Sequence, residues 1–150
     1  MTYYGARPDR PDPEAMVHRM ARRLHDGGLL AVRAGPLWKA PYGGHLDAWL
    51  PWAHLIFPEP VIFERYRLDR RSTKTATTFE EGFGVNRMTL DRLRSIMRGR
   101  GLECLHFATN VSDHPAVKVM RGLARLPWLE EYCTQNAYGV WRRPVTGPNR

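Results

Sequence analysis

The residues whose types could do chemistry are concentrated in one loop that follows a short apolar run. The run covers residues 29–34 (LLAVRA), and residues 36–57 after it are rich in Gly, Pro, His and aromatic residues. In open α/β sheets, ligands bind in the crevice beyond the carboxyl ends of the strands. A neutral imidazole accepts a proton near pH 7, and aromatic side chains shape pockets. The loop therefore supplies two candidate catalytic bases, His45 and His54, and four candidate substrate-binding residues, Trp38, Tyr42, Trp49 and Trp52. A structural role, with His as a hydrogen-bonding residue and Trp as cover for the sheet, is an open alternative for each of them.

The charge balance permits an acidic partner. The 150 residues carry 23 Lys and Arg against 15 Asp and Glu, a net charge of +8, which allows nucleic acid as a partner. The densest basic stretch contains Arg65, Arg67, Arg70, Arg71 and Lys74. The excess is nearly all Arg and is spread along the chain, so a solvated basic surface accounts for it equally well.

Several classes of protein are disfavoured by composition. No apolar run approaches the roughly 20 residues that span a bilayer, and the first residues lack the apolar core of a secretory signal. We therefore predict no membrane partner and a cytoplasmic location. Cys104 and Cys133 form no paired motif, and the six His show no spacing typical of metal ligands, so reduced structural thiols and no metal site are expected.

Capping signals and apolar spacing predict a helix over residues 13–26, with Asp12 as its N-cap, and a strand over 29–34 that is buried on both faces. A second helix begins after Thr89 and ends at Gly101. A strand over 102–108, a third helix from 115 to 127 and a last strand over 136–143 follow. Between them, short helical turns are expected at 45–49 and 52–57, and the polar residues 63–78 are expected to form a mobile surface loop.

Three segments in this order resemble the C-terminal half of a class I S-adenosylmethionine-dependent methyltransferase of the type 11 kind. They are DPEAMVHRMARRLHDGGLLAV (12–32), FGVNRMTLDRLRSIMRGRGLECLHF (83–107) and NAYGVWRRP (136–144). The first is similar to the family's helix and Gly-rich turn before the fifth strand, and the second to the helix before the sixth strand. The third is similar to the seventh strand, which in that family inserts antiparallel between the fifth and sixth. The loop, with its Pro-Tyr-Gly-Gly-His and Pro-Trp-Ala-His-Leu runs, also looks like that of one branch of these enzymes.

The resemblance implies an α/β fold with a partial Rossmann-like methyltransferase sheet, made of the equivalents of strands five, six and antiparallel seven with flanking helices. Residues 1–145 would form the C-terminal portion of that domain, with 36–87 as a substrate-side loop or lid and 146–150 as a tail. It also implies S-adenosylmethionine as cofactor. The family's glycine-rich turn has no counterpart here, since the sequence contains no Gly-x-Gly-x-Gly, and strands one to four are not represented. No cofactor-binding residue can be carried over.

Two functions of different class follow. The first is the substrate-binding half of a methyltransferase, which would transfer a methyl group to an unknown small or macromolecular acceptor only if a complementing N-terminal half were supplied. On its own the chain is expected to be inactive, and to be marginally stable or to associate, because half a sheet exposes apolar surface. The second is a non-enzymatic small basic domain that binds nucleic acid or a protein partner.

Overall fold

The computed structural model describes residues 12–44, 50–70, 78–79 and 86–145, and the side chains of residues 69 and 70 lie outside the description. The described residues form an α/β arrangement of helices around a three-stranded sheet. The helices are α1 (Pro13–Arg23), α2 (Ala53–Ile56), α3 (Glu59–Arg70), α4 (Leu90–Arg98), α5 (Pro115–Leu123) and α6 (Glu130–Cys133), and the strands are β1 (Leu29–Ala34), β2 (Glu103–Thr109) and β3 (Ala137–Arg142).

The strand that comes last in sequence lies in the middle of the sheet. The order is β1-β3-β2, and β3 is antiparallel to both neighbours, so β1 and β2 run in the same direction. The register places Ala34, Ala137 and Thr109 side by side at the carboxyl ends of β1 and β2. The expected order and directions of the three strands are therefore observed. The assignment of this sheet to a methyltransferase stays a prediction.

Local sequence accounts for the two long amphipathic helices. Asp12 caps α1 by accepting a hydrogen bond from the amide of Ala15, and Thr89 caps α4 in the same way, as the sequence predicts. The predicted helix over 13–26 ends earlier, because Leu24 adopts an extended conformation before the turn at Gly27, whose φ is +76°. These caps fix where each helix begins, and therefore which face it turns towards the sheet.

The main core lies between α1, α4 and one face of the sheet. From β1 and β3 that face contributes Leu30, Ala137 and Trp141, each of them buried. The helices contribute Val17 from α1 and Leu90, Leu93, Ile96 and Met97 from α4. A second, smaller core forms around α2 and α3 from Ala53, Ile62, Phe63 and Phe79. The chain thus has one core that carries the sheet and another that carries the loop segment after β1.

The described residues leave the opposite face of the sheet, called the bare face below, uncovered. Leu29, Ala31 and Arg33 of β1 are exposed on it, and Tyr138 and Val140 of β3 are only half-buried. No strand among the described residues pairs with the outer edge of β1. The prediction that β1 is buried on both faces is therefore wrong for the part of the chain that the structure describes, because its helices α1 and α4 cover one face alone.

The loop predicted over residues 63–78 is also wrong in its first half, since α3 continues to Arg70. Pro58 precedes the helix and Pro60 falls in its first turn, where a missing amide costs nothing. Ile62, Phe63 and Tyr66 then share one side of the helix and pack into or against the smaller core. The many Arg residues conceal this apolar stripe in the sequence.

Two successive carboxylates of α6 hold it against α4. Glu131 accepts hydrogen bonds from the amides of Leu90 and Asp91 at 3.3 and 2.6 Å. These amides lie in the first turn of α4 and have no acceptor within the helix. Glu130 forms a two-pronged ion pair with Arg94, with N–O distances of 2.8 and 2.6 Å. The hydrogen bond from Arg94 lowers the pKa of Glu130. The segment before β3 is therefore tied to the N-terminal half of α4.

Candidate functional site

The candidate site lies at the carboxyl end of β1, where the chain leaves the sheet. Gly35 has φ +154°, and a Cβ placed on it would come within 2.0 Å of Oδ1 of Asn136, so no larger residue fits there without a shift. The amide of Leu37 then donates to the carbonyl of Gln135 at 2.9 Å. The loop therefore begins its course by packing against the segment that leads into β3.

Asn110 fixes the neighbouring end of β2. It is buried and has φ +52°, a conformation that Asn tolerates better than most residues. Its Nδ2 donates to the carbonyl of Cys133 at 2.7 Å, and its Oδ1 accepts from the amide of Gln135 at 2.8 Å. Its own amide donates to the carbonyl of Asn136 at 3.0 Å. Asn110 thus ties the end of β2 to the segment between α6 and β3, the same segment that the start of the loop contacts.

Farther along the loop, Trp38 and His54 meet in an aromatic cluster. Their rings lie edge-to-face at a centroid distance of 4.8 Å. Phe79 is completely buried between them and Phe63, with centroid distances of 5.3 Å to both Trp38 and Phe63. Edge-to-face pairs of this kind contribute about 0.5–1.5 kcal/mol beyond area burial. Gly44 closes the cluster, because a Cβ there would lie 2.8 Å from Phe79.

The hydrogen bond of His54 determines which of its nitrogens is basic. Nε2 lies 2.5 Å from the carbonyl oxygen of Trp38. A carbonyl can only accept, so Nε2 carries the hydrogen, and the neutral ring holds its lone pair on Nδ1. Burial lowers the pKa of His54 below its ordinary value of 6.5, with the carbonyl opposing that shift. His54 is therefore neutral at pH 7, with Nδ1 as the proton acceptor.

Arg87 and Glu59 form the charged side of the cluster. The guanidinium carbon of Arg87 lies 5.1 Å from the centroid of the Trp38 ring, and its Nη2 is 2.5 Å from Oε1 of Glu59. The other oxygen of Glu59 accepts from the amide of Phe79 at 2.9 Å. The carboxylate of Glu59 in α3 therefore contacts both Phe79 and Arg87, which lies just before α4, on one side of Trp38.

The remaining aromatic candidates lie outside this cluster. Trp52 has φ +61° and donates from Nε1 to the carbonyl of Tyr132 at 3.2 Å, so it ties the loop to α6. Tyr42 is 45% exposed and offers its ring to solvent. His45 and Trp49 lie outside the described residues. The structure thus brings Trp38 and His54 together and places Tyr42 and Trp52 elsewhere on the same loop.

Sequence reasoning missed Phe79, Glu59 and Arg87. Phe79 is an isolated aromatic residue between polar stretches, a position where an exposed side chain is the natural expectation. Glu59 and Arg87 are separated by 28 residues, so only the folded chain brings them together. The sole local signal is the Pro58-Glu59-Pro60 sequence, which is typical of a helix start and could have revealed α3.

The basic stretch proposed as a nucleic-acid surface is only partly visible. Arg65 and Arg67 are exposed on α3, and Arg67 forms an ion pair with Glu64 one turn away. The side chain of Arg70, together with Arg71 and Lys74, lies outside the described part of the chain.

The described residues contain no group of three or more His, Cys, Asp or Glu that could hold a metal ion. Cys104 is an exposed free thiol and Cys133 a buried one. No helix within the described ranges has the length and apolar character needed to cross a membrane.

Among the described residues, no Gly-x-Gly-x-Gly turn that could hold S-adenosylmethionine follows a strand and precedes a helix. Gly99 and Gly101, the nearest approach to a glycine-rich turn in the described chain, end α4 and precede β2, which reverses the strand-turn-helix context the family uses. No family model, curated protein or solved structure matches this chain.

Proposed function

We propose that this chain is the substrate-side half of a class I S-adenosylmethionine-dependent methyltransferase, located in the cytoplasm. In this proposal a separate polypeptide segment holds the cofactor and covers the bare face of the sheet. The methyl acceptor is unknown, and the isolated chain is inactive.

The observation that carries the proposal is the sheet itself. A last strand inserted antiparallel between two strands of common direction is the arrangement that the resemblance implies for strands five, seven and six. The loop of residues 36–57 leaves the carboxyl end of β1, where open α/β sheets bind ligands. Sheet order supports the resemblance, and the loop position supports a ligand site at this end of the sheet.

The bare face supports the need for a second segment. In a doubly wound sheet both faces are covered, whereas here Leu29 keeps 59% of its area exposed and β1 has an open edge among the described residues. The helix α5 likewise buries none of its residues, and Val119 and Leu123 are exposed on it. An added strand beside β1, with helices over the bare face, would cover this apolar surface.

Within this half, Trp38, Tyr42 and Trp52 form the substrate-side wall. Nδ1 of His54 is the candidate acceptor for the proton that an oxygen or nitrogen nucleophile loses. His45 and Trp49 stay predicted members of the same site. The Arg87–Glu59 pair orients the Trp38 ring and so shapes the wall, while the cofactor chemistry comes from the other segment.

The test begins with the isolated chain. Isothermal titration with S-adenosylmethionine is expected to give no heat of binding, and measurable binding would overturn the proposal. The second arm examines the coding DNA next to this gene for a glycine-rich strand-turn-helix and co-expresses that product with the chain. A stable complex that binds the cofactor is expected, whereas the absence of such a frame, or of a complex, would count against it.

Variants of the complex separate catalysis from assembly. His54→Gln should leave the complex intact and lower the rate of methyl transfer, while Leu29→Lys on the bare face should prevent assembly. If DNA or RNA binds the isolated chain tightly, with an affinity that falls steeply with salt, the non-enzymatic basic domain is the better description.

A further inference from the structure

A basic cavity lies at the end of the sheet opposite the aromatic loop. It has a volume of about 450 Å³, and its walls come from α1, from the turn between α4 and β2, and from the chain just after β3. Its lining includes His18, Arg22, Arg100, Gly101 and Arg143. We propose that this cavity binds the phosphate group of a small phosphorylated molecule.

The charges around the cavity favour an anion. Three of the residues that line the cavity are arginines: Arg22, Arg100 and Arg143. Two carboxylates pair with two of them: Glu14 lies 2.7 Å from Nη2 of Arg100, and Asp26 lies 3.5 Å from Nε of Arg143. Within the described part of the chain, the third positive charge has no carboxylate partner.

That charge belongs to Arg22. It is exposed, and within the described part of the chain it makes no hydrogen bond or ion pair. Its neighbours are held in place, since Arg143 donates to the carbonyls of Ala21 and Leu24 at 3.4 and 2.8 Å. The cavity thus combines two anchored guanidinium groups with a third that is available to a ligand.

Arg100 has donors left over. Its Nη1 donates to Nδ1 of His18 at 3.1 Å and its Nη2 to Glu14, which uses two of the five N–H groups of a guanidinium. Its Nε is buried and has no hydrogen-bond partner among the described residues. Among the described residues, one N–H group on each Nη atom is left without an acceptor, and Arg binds phosphate oxygens through such groups.

A small phosphorylated ligand fits better than a nucleic-acid backbone. A concave site of this volume is in the range of pockets for small molecules, and it collects its charges from three separate segments. Nucleic acid instead calls for a stripe or patch that follows the phosphates along a surface. The site is also at the other end of the sheet from the proposed methyltransferase loop, so the two inferences stand or fall separately.

The experiment measures binding of inorganic phosphate to the chain by NMR chemical shifts and by thermal melting, against sodium chloride at equal ionic strength. We expect a saturable response centred on residues 18–22, 99–102 and 143–144. Arg22→Gln should weaken binding about tenfold, the effect of losing one charge-assisted hydrogen bond. Arg23→Gln is the matched control, because it removes the same charge from the next position of α1, outside the cavity lining.

Three outcomes would overturn the proposal. One is a response to phosphate no larger than that to chloride. Another is equal weakening by Arg22→Gln and Arg23→Gln, which would indicate a diffuse electrostatic effect or binding of polyanions along the surface. The third is equally tight binding of acetate, which would assign the cavity to carboxylates.

Discussion

Two adjacent leucines test whether only one face of the sheet is covered. Leu29 and Leu30 are neighbours in β1, but Leu29 is 59% exposed and Leu30 only 8%. Complete burial of a Leu side chain contributes about 1.5–3 kcal/mol, so Leu29, with less than half of its area covered, contributes about 1 kcal/mol. Its removal leaves no cavity, because solvent fills the space.

Leu30→Ala adds the cost of a cavity to the lost transfer free energy and should lower the free energy of unfolding by about 2–5 kcal/mol. For a chain of 150 residues, about 1 kcal/mol corresponds to roughly 2–4 °C in Tm. Leu29→Ala is therefore expected to lower Tm by about 2–4 °C and Leu30→Ala by roughly 4–20 °C.

The assay is thermal and urea unfolding of both variants, followed by circular dichroism at several protein concentrations. Analytical ultracentrifugation beside it reports association, which Leu29→Lys should reduce if the bare face is the contact. Equal destabilisation by the two Ala variants at the lowest concentration would refute the one-sided sheet. A cleanly monomeric wild-type chain with a cooperative melt would contradict the expectation that the isolated chain is marginally stable or associates.

The remaining predictions concern stability and its dependence on pH. Because burial lowers the pKa of His54, its neutral form stabilises the fold above pH 6.5, and this contribution is lost as the pH falls below that value, by at most about 1.4 kcal/mol per pH unit. His54→Gln should flatten the dependence of melting temperature on pH between 5 and 8 (roughly the range of His titration). A profile identical to that of the wild-type chain would contradict the assignment. A Cβ on Gly139 would lie 2.2 Å from the Trp141 ring. Gly139→Ala should therefore lower the free energy of unfolding in urea by about 1–3 kcal/mol, and by much less in a Trp141→Leu background. Equal losses in both backgrounds would show that the ring is not the obstacle. Glu131→Ala removes the carboxylate that accepts hydrogen bonds from the amides of Leu90 and Asp91 at the start of α4. It should lower the free energy of unfolding by about 1–2 kcal/mol in the same assay. No measurable loss would mean that water accepts these hydrogen bonds instead.

Local signals in the sequence were sufficient for the elements of the sheet and its main core. Asp12 and Thr89 cap helices as expected, and the apolar stripe of α4 packs against the sheet. These predictions succeeded because capping and helical spacing depend on residues three or four positions apart. The helix α3 was missed because its apolar stripe, including Phe63, is narrow and lies among many Arg residues.

The candidate site could be anticipated only in part. Residue type alone selected Trp38 and His54, and the structure places their rings in contact. The direction of the His54 hydrogen bond, and hence the identity of its basic nitrogen, depends on a carbonyl 16 residues away. Burial of that imidazole by Phe79, a residue that no local pattern distinguishes, lies equally beyond the reach of sequence.

The sequence by itself determined where α1, α4 and the three strands begin, to within a residue, and which loop carries the aromatic residues and His. It also showed that the chain contains no Gly-x-Gly-x-Gly turn. Tertiary structure alone decided which face of the sheet is covered. Side chains along β1 alternate between the two faces, and one face becomes buried only when α1 and α4 pack against it. Tertiary structure also forms the basic cavity, because Arg22, Arg100 and Arg143 come from three distant segments of the chain. Charges far apart in the chain interact only after folding has paid the entropy of bringing them together.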